Sequence, residues 1–200
     1  MMAKKQTYHH GDLRAALLQV AADMLAEGGV ESVTMRELGS RVGVSRSAPY
    51  RHFADKQALL VAVAAEGFDR LRAQLHAIDV PDAGDELARF QQMGIVYIRF
   101  AVDHPAHYRL MYGKEALKRD QYPELDAAAN ATFYELVDII ERYQASGHIK
   151  PENAEALTYI AWSTVHGLAA LLIDGQMLFP DDLEALAHLA TETLLEGMRA

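Results

Sequence analysis

Apolar residues recur every three to four positions along almost the whole chain, the spacing that places them on one face of an α-helix. Strand signals are almost absent, because alternating runs of Val, Ile and Thr are few. The pattern therefore predicts an all-α protein of about nine helices, at about 12–27, 34–42, 45–53, 55–75, 85–103, 106–112, 123–146, 152–173 and 181–198.

Residues that cap or end helices support these boundaries in the first third of the chain. Gly28-Gly29 ends helix 1, because glycine adopts the left-handed conformation that closes a helix. Thr34 and Glu37 have the spacing of a capping box, in which each side chain satisfies a free N–H at the other residue. Asp55 is the predicted N-cap of the long helix 4.

Helices 2 and 3 are short and are joined by a turn that contains Gly43 and Val44. This arrangement is typical of a helix-turn-helix, whose second helix enters the major groove of DNA. Helix 3, which Ser45 caps, presents small and basic side chains outward, and an arginine there can bind both acceptors of a guanine. On spacing alone, two helices of an ordinary bundle fit as well.

The net charge of −9 argues against nucleic acid as a partner until its distribution is considered. Residues 1–60 contain eight Lys or Arg and six Asp or Glu, whereas the remainder contains 11 and 22. A mildly basic N-terminal segment on an otherwise acidic chain suits a protein that contacts phosphates only through that segment.

The segment 34–60 resembles the DNA-binding domain of TetR-family regulators. The positions that carry the resemblance follow in order: Thr34, Gly43, Val44, Ser45, Tyr50, His52, Phe53, Lys56, Leu59 and Leu60. The preceding helix fits the family without a gap, and the resemblance continues weakly to the end of the chain. It implies a DNA-binding domain at 1–57 and a helical effector-binding and dimerisation domain at 58–200.

The same resemblance implies which side chains contact DNA. Those expected to face base edges are Arg36, Ser45, Arg46, Ser47, Ala48 and Arg51. Those expected to hold phosphates, and so to position the protein without reading sequence, are Thr34, Tyr50, His52 and Lys56. Phe53 is expected in the core. Lys4 and Lys5 fit either an arm on the DNA or a plain solvated tail.

The C-terminal half is expected to sense a small molecule. Trp162 and His166 share a helix face, and Gly167 beside them would let another helix approach; the three resemble a Trp-His-Gly class of TetR-family domains. A pocket among helices 5 to 8 would take a hydrophobic, drug-sized ligand. Its expected lining is Phe90, Met93, Tyr97, Phe133, Val137, Trp162 and His166. A closed core would have the same composition.

No pattern indicates a metal or another cofactor. His104 and His107 have a ligand-like spacing, but they straddle Pro105 and have no acidic or cysteine companion nearby in the sequence. The chain has no cysteine, which excludes disulfides and permits a reducing cytoplasm. No secretory signal and no apolar run of spanning length is recognised, so a cytoplasmic location is expected.

A second copy of the chain is an expected partner, together with operator DNA and an unidentified effector. Helices 8 and 9 are more apolar than outer helices should be, and pairing them across a two-fold axis would form a four-helix bundle. The leucines that suggest this pairing are Leu168, Leu171, Leu172, Leu183, Leu186, Leu189 and Leu194.

These features together predict a sequence-specific transcriptional regulator, a repressor that a small apolar ligand releases from its operator. Repression and activation are not distinguished by the residues themselves. No nucleophile elbow, phosphate loop or metal-binding carboxylate helix is found, so an enzyme is not expected. The alternative is a helical adaptor or structural module that keeps the fold without reading DNA. Arg46, Tyr50, His52 and Lys56 disfavour it, because such a module has no need of them.

Overall fold

Eight α-helices make up most of the computed structural model, which describes residues 13–78, 86–113, 117, 119–177 and 182–200. The helices are α1 (Leu13–Ser32), α2 (Met35–Val42), α3 (Lys56–His76), α4 (Glu86–Asp103), α5 (Pro105–Tyr112), α6 (Pro123–Ala145), α7 (Ala154–Ile173) and α8 (Leu183–Met198). The described residues form no strand beyond an isolated bridge between Ile149 and Arg199. The prediction of an all-α fold is confirmed. Lys4, Lys5 and most of the expected break at 76–84 lie outside the described residues.

The predicted third helix is the main difference in secondary structure. The segment 45–53 forms turns and a short 3-10 helix, Pro49–Arg51, and no α-helix. Pro49 has no N–H, so the carbonyl of Ser45 bonds instead to the N–H of Ala48 at 3.0 Å. From this point α3 corresponds to predicted helix 4, and α7 and α8 correspond to predicted helices 8 and 9.

The helix ends follow the predicted capping residues with one exception. The Thr34 hydroxyl accepts from the N–H of Glu37 at 3.2 Å, and the Asp55 carboxylate accepts from the N–H of Ala58 at 2.8 Å. The reciprocal half of the capping box is replaced, because the Glu37 carboxylate accepts from Arg41 at 3.2 Å. Helix 1 breaks at Gly28-Gly29 as predicted, and a further helical turn follows before Ser32.

A continuous hydrophobic cluster runs from the N-terminal helices into the body of the molecule. Leu17, Leu38 and Leu59 lie at its N-terminal end and are fully buried, and α3 extends the cluster through Phe68 and Leu71. α3 packs against α1 at one end and against α5 and α6 farther along. The two predicted domains, 1–57 and 58–200, therefore share one core.

α7 is the one helix among the described residues that is long and apolar enough, by length and composition, to cross a membrane. It packs against α4, α6 and α8 in the bundle. These contacts account for the apolar residues on its inner face, while only 33% of its most apolar stretch is buried within the chain.

Candidate DNA interface and ligand pocket

The turn between α2 and the 3-10 segment is held by backbone geometry. Gly43 has a φ of +78°, which favours glycine, and its N–H donates to the carbonyl of Ser40 at 3.1 Å. The N–H of Val44 donates to the carbonyl of Gly39 at 2.9 Å. A Cβ at Gly39 would lie 3.4 Å from Pro49 Cγ, so α2 and the 3-10 segment pack closely. The predicted helix-turn-helix is thus present with a 3-10 helix as its second element.

The ten residues predicted to contact DNA lie on α2, in the connection to α3, and at the first position of α3. Eight of them are exposed, whereas Ala48 and Lys56 are half-buried. Arg36, Arg46 and Arg51 make no ion pair with any described residue. Their guanidinium groups are therefore available to an external partner.

Arg41 on α2 contrasts with those three arginines. Its guanidinium bonds to the carboxylates of Glu27 at 2.7 Å and Glu37 at 3.2 Å. These ion pairs use two of the five N–H donors of Arg41 and link α2 to α1, which gives this exposed arginine a role inside the chain.

A cavity of about 190 Å³ opens between α4, α6, α7 and α8. Five of the seven predicted lining residues surround it: Phe90, Met93, Tyr97, Phe133 and Trp162. α8 contributes Thr191 and Leu194, which the sequence analysis did not include. The cavity is smaller than the roughly 300–1,000 Å³ of drug-sized pockets, so the expected ligand size is corrected downward.

Val137 and His166 are the two predicted lining residues that the structure places elsewhere. Val137 is buried on α6 outside the cavity lining. His166 lies behind the cavity wall, where it faces a second cleft beside α1 and α5. His166 therefore contacts lining residues such as Tyr97 without itself lining the cavity.

A hydrogen-bonded group of aromatic side chains forms that wall. The indole N–H of Trp162 donates to the hydroxyl of Tyr97 at 3.0 Å. The hydroxyls of Tyr97 and Tyr108 lie 2.9 and 2.6 Å from Nδ1 of His166. Burial raises the pKa of both tyrosines and lowers the pKa of His166. The group is therefore uncharged at neutral pH and is satisfied internally.

The prediction that Gly167 lets another helix approach is wrong for the described helices of its own chain. No neighbouring heavy atom among the described residues lies within 4 Å of a Cβ placed there, so no other described helix packs against it. Gly94 on α4 has that role instead, because its Cβ would lie 2.6 Å from Thr191 Cγ2 and 3.2 Å from Val165 Cγ1. The close approach of α4 to α7 and α8 thus occurs at the cavity wall.

Glu135 connects the cavity to α3. It belongs to the cavity lining on α6, and its carboxylate accepts from Arg72 Nε at 3.3 Å and contacts His76. Both partners lie in the last two turns of α3, whose first residue is Lys56. One helix therefore extends from the predicted phosphate contacts to the cavity wall.

A partly buried polar cluster lies where α1, α3 and α5 meet. Arg70 bonds to Glu66 at 2.8 Å and to Gln19 at 3.1 Å. Burial, with Arg70 acting in the same direction, lowers the pKa of His107 to about 4. The Nε2 atom of His107 has no hydrogen-bond partner among the described residues. The His104 and His107 rings are 6.1 Å apart, and no described group of three or more His, Asp or Glu side chains is arranged to hold a metal ion.

Family models match both halves of the chain. The model described as bacterial regulatory proteins of the tetR family matches residues 17–63. The model described as a tetracyclin repressor-like C-terminal domain matches residues 90–194. The chain belongs to the TetR family.

Curated relatives of this TetR-family chain include two repressors. Tetracycline repressor protein class A from transposon 1721 of Escherichia coli is 39% identical over 74 residues, which cover 37% of this chain and 32% of the relative. The chain thus matches about a third of that repressor's length. HTH-type transcriptional repressor KstR2 of Mycolicibacterium smegmatis is 26% identical over 150 residues, 73% of this chain and 72% of the relative.

Solved structures share the fold over the full length. A protein of unknown function from Rhodococcus sp. RHA1 has a TM-score of 0.85 and 35% identity, and covers 98% of this chain and 100% of its own. The ketosteroid transcriptional regulator KstR2 of Mycobacterium tuberculosis has a TM-score of 0.66 and 19% identity, with full coverage of both chains. The prediction of a DNA-binding transcriptional regulator of the TetR family is confirmed.

Sequence reasoning missed several residues that shape the cavity of this TetR-family protein. Tyr159 could have been found, because it lies three residues before Trp162 on the same helix face. Glu135 and Thr191 gave no such signal, since their place in the wall depends on how α6 and α8 pack against other helices.

Proposed function

We propose that the protein is a homodimeric transcriptional repressor that binds operator DNA and is released from it by a small apolar ligand. The observation that supports this most directly is the path of α3. It begins beside the exposed residues expected on DNA, and Arg72 and His76 near its end contact Glu135 in the cavity wall. A ligand in the cavity can therefore move the DNA-binding end through α3 alone.

The DNA-binding mode follows from one recognition segment in each chain. Two such segments related by a two-fold axis read half-sites about 34–36 Å apart, one turn of the double helix. Arg46 and Arg51, whose guanidinium groups have no ion-pair partner among the described residues, are assigned to base edges. Tyr50, His52 and Lys56 are assigned to phosphates.

Dimerisation through α7 and α8 is supported by the apolar side chains that these helices expose. Ile160 and Leu171 on α7 and Leu189 on α8 are each 47–61% exposed. Of the seven leucines that suggested the pairing, Leu171 and Leu189 face outward. Most of the others pack within their own chain: Leu168, Leu172, Leu183 and Leu194. A two-fold pairing of α7 and α8 would bury the exposed side chains in a four-helix bundle.

Ligand release requires that the protein have two arrangements with different affinities for DNA. A ligand shifts their equilibrium only by its differential affinity for the two. Because DNA has a fixed repeat, a tilt of α3 that moves the two recognition segments by a few ångströms loses contacts at one half-site. A coupling of roughly 1–3 kcal/mol is usual for such systems. We assign the protein to the cytoplasm, where its operator lies, and give it no enzymatic role.

The DNA-binding proposal is tested with three alanine variants on selected and random DNA. Arg46→Ala should weaken binding to the selected site by roughly 1–3 kcal/mol and relax preference at one base position. Lys56→Ala should weaken all sequences alike and reduce the salt slope by about one. Arg41→Ala is the matched control, because it removes the same charge from an arginine that is occupied within the chain.

The control variant should retain the sequence preference of the unmodified protein. If Arg46→Ala and Lys56→Ala bind both kinds of DNA as the unmodified protein does, the DNA-contact assignments are wrong. Binding that is weak, independent of salt and unaffected by all three variants would favour the helical adaptor.

A further inference from the structure

We infer that the cavity takes a neutral aromatic compound of one or two rings, with the ring system buried and any polar substituent at the mouth. The inference rests on the proposed function for its biological meaning. The binding itself follows from the cavity's size, lining and charge.

The size of the cavity limits the ligand to a small ring system. A cavity of about 150 Å³ lined by apolar side chains holds benzene, whereas drug-sized ligands need roughly 300–1,000 Å³. The cavity here measures about 190 Å³. It therefore accommodates one ring or two fused rings, and a four-ring skeleton would require the helices to separate.

Aromatic side chains dominate the lining on several sides. Phe90, Tyr97, Tyr112, Phe133, Tyr159 and Trp162 all face the cavity. All except Phe90 already contact one another in tilted and edge-on arrangements, with ring centroids 4.8 Å apart for Phe133 and Tyr159 and 5.7 Å for Tyr112 and Trp162. A planar aromatic ligand can extend this edge-to-face packing, which a saturated ring of the same size cannot do.

Four polar side chains in the lining already donate hydrogen bonds within the chain. Thr132 and Thr191 donate to carbonyls of their own helices at 2.9 Å. Asn130 donates to Asp126 on its own helix, and Gln91 donates to a carbonyl of α8. Glu135 is paired with Arg72 and contacts His76, both on α3. A buried polar or charged ligand group would have to displace these bonds, and leaving their donors unpaired is costly.

The mouth of the cavity is where a polar substituent can remain in water. Tyr134 and Tyr159 belong to the lining and are 53% and 54% exposed. Both hydroxyls lie on side chains open to solvent on α6 and α7. A hydroxyl or carbonyl at one edge of the ligand can therefore keep its hydration while the rings are enclosed.

The test compares five probes of matched or contrasting chemistry by titration calorimetry on the full-length protein without DNA. The probes are naphthalene, its saturated counterpart decalin, 2-naphthoate, N-methylquinolinium and the steroid progesterone. Naphthalene should bind more tightly than decalin by roughly two- to tenfold, the usual contribution of aromatic pairing. The two charged analogues and the steroid should bind at least tenfold more weakly than naphthalene.

Two further measurements locate the probe. Trp162 is the only tryptophan, so its single indole N–H resonance should shift on addition of naphthalene. Phe133→Leu should reduce the preference for naphthalene over decalin while keeping an apolar wall. Phe100→Leu, at a buried ring outside the lining, is the matched control and should keep the preference.

Equal affinity for decalin and naphthalene, or tighter binding of N-methylquinolinium, would overturn the inference. Failure of naphthalene to bind, while progesterone binds and releases selected DNA, would overturn it and leave the proposed function intact. Binding of naphthalene with the expected preferences but no effect on DNA would support the inference and refute ligand-controlled repression.

Discussion

Replacing Gly94 with alanine tests the closest helix contact at the cavity wall. A methyl group there would lie 2.6 Å from Thr191 Cγ2 and 3.2 Å from Val165 Cγ1. Neither neighbour can yield easily, because both are β-branched. The Thr191 hydroxyl is also fixed by bonds to the carbonyls of Ala187 at 2.9 Å and His188 at 3.0 Å.

The expected effect is the difference between two opposing terms. Overpacking a tight core costs about 1–3 kcal/mol, and a distance of 2.6 Å to a rigid methyl places Gly94→Ala in the upper part of that range. Alanine gains about 1 kcal/mol over glycine inside a helix. The net loss in the free energy of unfolding should be about 1–2 kcal/mol, which lowers Tm by about 2–8 °C for a chain of this size.

Urea denaturation at one fixed protein concentration measures this loss, because the stability of a dimer depends on concentration. Thr191→Ser removes the clashing methyl and keeps the hydroxyl, so it should reduce the effect of Gly94→Ala in the double variant. The interaction energy of the pair should be about 1–2 kcal/mol. If Gly94→Ala raises stability, or if the two changes are additive within about 0.5 kcal/mol, α4 and α8 do not approach as described.

Three further outcomes are expected from other parts of the structure. Glu135→Gln should reduce the factor by which saturating naphthalene weakens operator binding by about two- to fivefold, since a partly exposed ion pair contributes up to about 1 kcal/mol. An unchanged factor would show that Glu135 does not couple the cavity to the DNA-binding end. The His107 pKa is about 4 in the folded protein and 6.5 ordinarily, so the unfolded chain binds more protons between these values and stability falls as pH drops through this window. Urea titrations at pH 5 and pH 7 should therefore show a smaller loss for His107→Leu than for the unmodified protein, and equal losses would contradict this. Ile160→Glu should yield a folded monomer in sedimentation, because that exposed side chain would be buried only in the dimer; a persistent dimer would exclude the α7–α8 pairing.

Local backbone chemistry explains why most helix boundaries could be predicted. A side chain that caps a helix acts within three residues, so Thr34 and Asp55 identify the starts of α2 and α3 from sequence alone. Gly43 is equally local, because its positive φ is a property of the turn itself. The 3-10 segment was mispredicted as an α-helix because its small and basic residues follow the pattern of a recognition helix. Pro49 lacks the N–H that an α-helix needs there.

The cavity was predictable in its aromatic composition and not in its boundary. Phe133 and Trp162 were identified because a large aromatic residue on the inward face of a helix has few places to lie other than a core or a pocket. His166 shares a face with Trp162 but is drawn behind the wall by two tyrosine hydroxyls. Gly167 and Gly94 look alike in sequence, and only the packing of α8 distinguishes which one is crowded.

The continuity of α3 has a consequence for how such regulators diversify. Its buried face contributes Leu59 to the N-terminal packing and Leu71 to the body, so a chimera joined at 57/58 would have to match the core on both sides of the junction. The segment 45–52 and the side chains around the cavity share no residue. Operator preference and ligand preference can therefore drift independently by point substitution, whereas exchange of whole halves is restricted by one shared helix.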